Sequence, residues 1–231
     1  MKIHGQIKYD VGERKCDWRK TVLIKQFEVG NFSIFSYLVA DENAKEGLFI
    51  DPSADHDMLL KEAASHDLTI KYIVNTHHHI DHTMGNKEMV RRTGAKIIIH
   101  EADADGLLDT EPEILQMFSA VPSPPADILV SDGQEIKIGD IALKVIHTPG
   151  HTPGGMCLYI EGMVFTGDTL FVGSVGRTDF PGSSYEDLER SVRNKLYTLP
   201  GETVVLPGHN YAMKPTSTIE QERRTNAIFR G

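Results

Sequence analysis

The chain has 231 residues, 40% hydrophobic and 25% charged, a balance that predicts a soluble globular protein of one large domain. A formal net charge of −9 argues against nucleic-acid binding, which needs a Lys/Arg-rich surface, and no apolar run reaches the roughly 18 residues of a membrane span. Two widely separated cysteines, Cys16 and Cys157, exclude a disulfide framework, and residues 1–6 lack a signal peptide's apolar core, so a cytoplasmic setting is expected.

Residues 1–20 are polar and mixed in charge, and read as an N-terminal extension, a hairpin or docking arm, of a single domain spanning 1–231. Strands are expected over residues 22–28, 34–39 and 47–50, with the stretch 32–38 alternating apolar and polar residues as a half-buried strand does. Asp51-Pro52-Ser53 stops the third strand and starts a helix carrying Met58, Leu59, Ala63 and His66. A β-branched run over 70–75 predicts a buried strand, followed by a helix over 85–92 and a strand over 95–100. The acidic segment 101–118 carries a helical apolar pattern, and Pro122-Ser123-Pro124-Pro125 reads as a surface loop. Strands follow over 128–130, 134–137, 141–146, 156–160, 163–165 and 204–206, with a helix over 185–197 and a closing helix over 218–229 capped by Ser217.

The densest chemistry is Thr76-His77-His78-His79-Ile80-Asp81-His82, on the loop that leaves the 70–75 strand. Buried imidazoles need partners, and neutral histidine is the commonest metal ligand. His77, His151, Asp168 and His209 each lie just past a strand end, where α/β layers build their sites. His77 and His79 can face one point, and Asp81 and His82 a neighbouring one. With Asp168 as a bridge, the set closes around two cations: His77, His79, His151 and Asp168 on the first, and Asp81, His82, His209 and Asp168 on the second. Such N/O ligation suits Zn²⁺, Fe²⁺ or Mn²⁺. His78 is expected to point away as a supporting or surface residue. His4, His56, His66, His100 and His147 are scattered and read as ordinary, and Cys157 as a small core residue.

His77-X-His79-X-Asp81-His82 together with His151, Asp168 and His209 resembles the metallo-β-lactamase superfamily from about residue 22 onward. The resemblance implies a four-layer αββα sandwich with metals at one edge of the sheets. Residues 148–155, 167–171 and 176–180 resemble the glyoxalase II-like branch, which includes hydroxyacylglutathione hydrolases and persulfide dioxygenases. About twenty residues follow His209, as in the short relatives rather than those with a C-terminal helical domain. The reading favoured by the resemblance is a binuclear hydrolase, with Zn²⁺ as the first choice of metal, in which a metal-bound hydroxide attacks a thioester. Asp81 would hold and orient, and Tyr211 would hydrogen-bond the substrate or oxyanion. Arg177 and Lys214 are candidate contacts for a small thiol-derived substrate such as a glutathione conjugate, although Arg177 with Asp179 also suits a loop brace. The alternative is a persulfide dioxygenase with one Fe²⁺ on His77, His151 and Asp168. A lactonase and a non-catalytic metal-binding protein are further possibilities.

Overall fold

The computed structural model describes residues 3–6 and 22–229. Strands β1 (Ile3–Gln6), β2 (Val22–Val29), β3 (Ile34–Asp41), β4 (Glu46–Ile50), β5 (Thr69–Val74), β6 (Lys96–His100) and β7 (Ile128–Val130) form one sheet in that spatial order. Pairing is antiparallel from β1 to β4 and parallel from β4 to β7. The second sheet runs in reverse order from β13 (Ser217–Thr218) through β12 (Val204–Pro207), β11 (Met163–Gly167), β10 (Met156–Ile160) and β9 (Ile141–His147) to β8 (Glu135–Ile138). The helices are α1 (His56–Ser65), α2 (Ile80–Thr83), α3 (Asn86–Thr93), α4 (Pro112–Phe118), α5 (Tyr185–Asn194) and α6 (Ile219–Thr225).

Two apolar sheet faces meet through Tyr37, Leu48, Val74, Leu143, Leu158 and Phe165. The outer face of the first sheet is covered by Leu59 of α1 and Met89 of α3, and that of the second by Leu188 and Val192 of α5 and Ile219 of α6. This is the expected αββα sandwich. Burial on both faces explains one departure from the sequence pattern. All eight residues of β3 are buried, because Ser36 lies inside and donates from Oγ to the Ile50 carbonyl at 3.2 Å. The alternation over 32–38 therefore does not mark a solvent face, and Phe32 and Ser33 belong to the preceding turn.

Three expected helices are shorter. Residues 101–118 break into two 3₁₀ turns (Glu101–Asp103 and Asp105–Leu107) and α4, with Gly106 packed so closely on the His78 ring that a Cβ would lie 2.4 Å from it. The helix expected to run to residue 197 ends at Asn194 and continues as a 3₁₀ turn. The closing helix spans only Ile219–Thr225, and its cap is Thr218, whose Oγ1 accepts from the Gln221 N–H, rather than Ser217. Apart from β1, the 1–20 extension lies outside the described residues. Among the described residues, no helix is long and apolar enough to cross a membrane.

Candidate metal centre

Five loops leave the C-terminal ends of β4, β5, β9, β11 and β12 at one edge of the sandwich, and they carry Asp51, His77 to His82, His151, Asp168 and His209. Local backbone geometry aims them inward. Gly167 takes φ +46°, a left-handed conformation that suits glycine, and a Cβ there would meet Thr76 Oγ1 at 2.5 Å. At Gly208 a Cβ would lie 2.4 Å from Asp168 Oδ1, so the absence of a side chain leaves the carboxylate its place.

The seven predicted ligands converge. His79 Nδ1 is 2.9 Å from His151 Nε2, and His82 Nε2 is 3.2 Å from His209 Nε2. Asp168 stands between the two groups, with Oδ1 3.3 Å from His82 Nε2 and Oδ2 3.4 and 3.6 Å from the Nε2 atoms of His209 and His151. Asp81 Oδ2 completes the second group, 3.5 Å from His209 Nε2. Donor atoms of His77, His79 and His151 lie within 4.8 Å of one another, as do those of His77, His82 and Asp168, and those of Asp81, His82 and His209.

The other ring nitrogens settle the tautomers. His151 Nδ1–H donates to the Arg177 carbonyl at 2.8 Å and His209 Nδ1–H to the Phe32 carbonyl at 3.0 Å, which leaves both Nε2 lone pairs pointing inward. Burial, then the neighbouring His82 and His79 rings, push the His77 pKa well below its ordinary value. Burial and His151 take His79 down to about 3. Burial opposes ionisation of Asp168, yet His209 and His82 hold it well below the usual carboxylate range. Burial likewise opposes a charge on His82, but Asp168, Asp81 and Asp51 lift it to about 10. His77 Nε2 and Asp168 Oδ1 are buried without a hydrogen-bond partner. Neutral imidazoles and an ionised carboxylate, with orphaned donor atoms facing one space, fit a divalent cation, which would replace the positive charge His82 otherwise supplies.

Two supporting carboxylates escape a reading of the sequence. Asp51, 1% exposed, accepts from the Thr76 N–H at 2.9 Å, from Thr76 Oγ1 at 2.7 Å and from His82 Nδ1 at 3.0 Å. Thr76 Oγ1 in turn lies 3.1 Å from His77 Nδ1, so one carboxylate orients two histidines. Asp103 accepts from the N–H groups of His78 (3.0 Å) and Gly154 (2.6 Å) and from Thr152 Oγ1 (2.7 Å), joining the His77–His79 loop to the His151 loop. Asp103→Ala is expected to strand those buried donors and lower stability by roughly 2–4 kcal/mol in denaturant unfolding, with weaker metal retention. His78 points away from the ligand cluster, with Nδ1 3.0 Å from Asp103, and His78→Ala is expected to keep its metal.

The cluster floors a cavity of about 700 Å³. Tyr211 lines it, half out in solvent, its ring stacked on His209 at 4.6 Å, and burial together with Asp168 and Asp81 raises its pKa to about 12, so the hydroxyl is a donor at neutral pH. Arg177 also lines the cavity but is held by Asp179 through two bonds of 2.8 and 2.6 Å, the expected loop brace. Lys214 is exposed and not part of the lining.

The profile of the "Metallo-beta-lactamase superfamily" matches residues 29–209. The human mitochondrial persulfide dioxygenase ETHE1 is 34% identical over 209 residues, covering 89% of this chain and 75% of the human protein. The crystal structure of ETHE1 from Myxococcus xanthus aligns with a TM-score of 0.77 at 31% identity, over 90% of this chain and 84% of that one. The crystal structure of TTHA1623 in a di-iron-bound form aligns with a TM-score of 0.76 at 31% identity, over 88% and 99%. Sandwich, strand-end donors and sequence agree, and this chain belongs to the metallo-beta-lactamase superfamily.

Proposed function

We propose that the chain is an Fe²⁺-dependent persulfide dioxygenase. The observation that carries the reading is the 34% identity to human persulfide dioxygenase across 89% of this chain, and this likeness favours it over the thioester hydrolase expected first. His77, His151 and Asp168 would hold the iron, a two-histidine, one-carboxylate donor set. When bound, Fe²⁺ with open positions supplies the electrons that activate O₂. The balanced conversion is R–S–SH + O₂ + H₂O → R–SH + H₂SO₃, in which the S–S bond breaks, the outer sulfur is oxidised by four electrons and O₂ is reduced.

The chain's own residues supply placement, dryness and proton handling. Phe180 packs edge-on against His79 at 5.2 Å and Phe171 against His209 at 5.8 Å, which keeps water from the donor face. Asp81 Oδ2, facing the cavity beside His209, is placed to accept the S–H proton. The Tyr211 hydroxyl, protonated at neutral pH and lining the cavity, would donate a hydrogen bond to the bound substrate.

One observation favours a second reading, a binuclear thioester hydrolase. The donors extend over more than one cation's worth of ligands, from His77, His79 and His151 to Asp81, His82 and His209, and the TTHA1623 relative was solved in a di-iron-bound form. Protein purified without air separates the two. The dioxygenase reading expects one iron per chain and O₂ uptake equal to the persulfide consumed, with thiol and sulfite as products. Two metals per chain, thioester cleavage and no persulfide-dependent O₂ uptake would overturn it.

A further inference from the structure

Residues 170–177, just past Asp168, make a turn that touches the metal centre at three points. Leu170 and Val175 pair across it, and the Phe171 N–H donates to the Ser174 carbonyl at 2.9 Å. Phe171 lines the cavity, its ring 5.8 Å from that of His209 and 5.3 Å from that of Tyr211. Gly176 is pressed on the Asp168 backbone, where a Cβ would lie 1.9 Å from the carbonyl oxygen. Arg177 supplies the carbonyl that accepts from His151 Nδ1–H at 2.8 Å. One ligand ring and one wall of the cavity thus depend on this turn keeping its shape.

The tip of the turn is held by α6. Glu222 Oε2 accepts from the Gly173 N–H at 2.8 Å, Asn226 Nδ2 donates to the Ser174 carbonyl at 3.1 Å, and the Ala227 N–H donates to the Gly173 carbonyl at 3.1 Å. Asn226 Nδ2 also donates to Glu222 Oε2 at 2.9 Å, which joins the two side chains, one helical turn apart, into a unit. Both residues are fully buried. An apolar pair would hold α6 on the core without the cost of taking a carboxyl group and an amide out of water. It could not grip the backbone of a turn at both an N–H and a carbonyl.

We propose that Glu222 and Asn226 are positioning residues for the metal centre: through the 173–174 turn they fix the Arg177 carbonyl on His151 and the Phe171 ring beside His209. The inference needs only the metal centre, and stands whether that centre oxidises persulfides or hydrolyses thioesters.

The test reads the His151 bond directly, by nuclear magnetic resonance of isotope-labelled, zinc-loaded protein. The ring Nδ1–H of His151 exchanges with solvent at a rate set by the opening of its bond to Arg177. The Nδ1–H of His209, bonded to the Phe32 carbonyl, is the internal control. Glu222→Met keeps the volume and leaves the bonds of Asn226 Oδ1 to the Ile228 and Phe229 N–H groups in place. It is expected to speed His151 exchange at least about tenfold and to change that of His209 by less than about twofold. The zinc dissociation constant in chelator competition is expected to rise about 3–10-fold, less than for a direct partner of a ligand. Glu222→Gln keeps an acceptor oxygen for the Gly173 N–H, and is expected to hold all three quantities within about twofold of wild type.

Ala227→Pro decides the matter should Glu222→Met fail to fold. It deletes one bond to the turn from an exposed residue, and Asn226 already has the extended backbone (φ −56°, ψ 132°) that precedes a proline. His151 exchange about threefold faster is the expected result there. Equal acceleration of the two rings would mean that α6 serves the fold alone and would overturn the proposal, as would unchanged His151 exchange in either variant once folded.

Discussion

Asp168→Ala is expected to leave the purified protein with less than about a tenth of its metal and to lower turnover by at least about 100-fold, since even partners behind the ligands cost 10–100-fold. Its carboxylate reaches both halves of the donor cluster, 3.3 Å from His82, 3.4 Å from His209 and 3.6 Å from His151. Removing it takes away the carboxylate that groups with His77 and His82 and leaves His82 and His209 facing each other at 3.2 Å with less negative charge to hold them. Elemental analysis alongside rate measurement checks the result. Wild-type metal content in Asp168→Ala would refute the central place given to this residue.

Asp51→Ala is expected to destabilise the protein by roughly 3–5 kcal/mol in denaturant unfolding, the range for breaking a buried charged network by deleting one partner. It is also expected to weaken metal binding about 10–100-fold. Three donors lose their acceptor at once: the Thr76 N–H, the Thr76 hydroxyl and His82 Nδ1. The two effects have separate signatures. Stability falls in protein stripped of metal, whereas lost orientation of His77 and His82 shows as a raised dissociation constant in competition with a chelator. Asp51→Asn keeps shape and one acceptor oxygen, so it is expected to recover part of the stability and less of the affinity. Unchanged affinity in both variants would mean that Asp51 serves the fold alone.

The convergence of these side chains was legible in the sequence because His77, His151, Asp168 and His209 each follow an apolar run whose end is fixed by a Gly, Pro or polar residue, and their strands end at a common edge. Asp51 obeys the same rule at the end of β4, but Asp before Pro also reads as an ordinary strand stop, and that local meaning hides it. Asp103 sits in an acidic run with helical spacing. Its work is to reach Gly154, 51 residues away, and no periodicity records such a contact. Lys214, a candidate substrate contact, is exposed and lies outside the cavity lining. The strand β3 carries Ser36 inward because its hydroxyl finds the Ile50 carbonyl, so an alternating pattern arose on a strand buried on both sides. At the closing helix two adjacent hydroxyls compete for the cap. Thr218 takes it because Ile219 must then point into the core.

The most direct test is diffraction from crystals of the iron-loaded protein at the iron absorption edge. An anomalous peak within about 2.0–2.3 Å of His77 Nε2, His151 Nε2 and an Asp168 oxygen is the expected result. Iron bound elsewhere, or a density-free space between those three side chains in protein that analyses as iron-loaded, would contradict it.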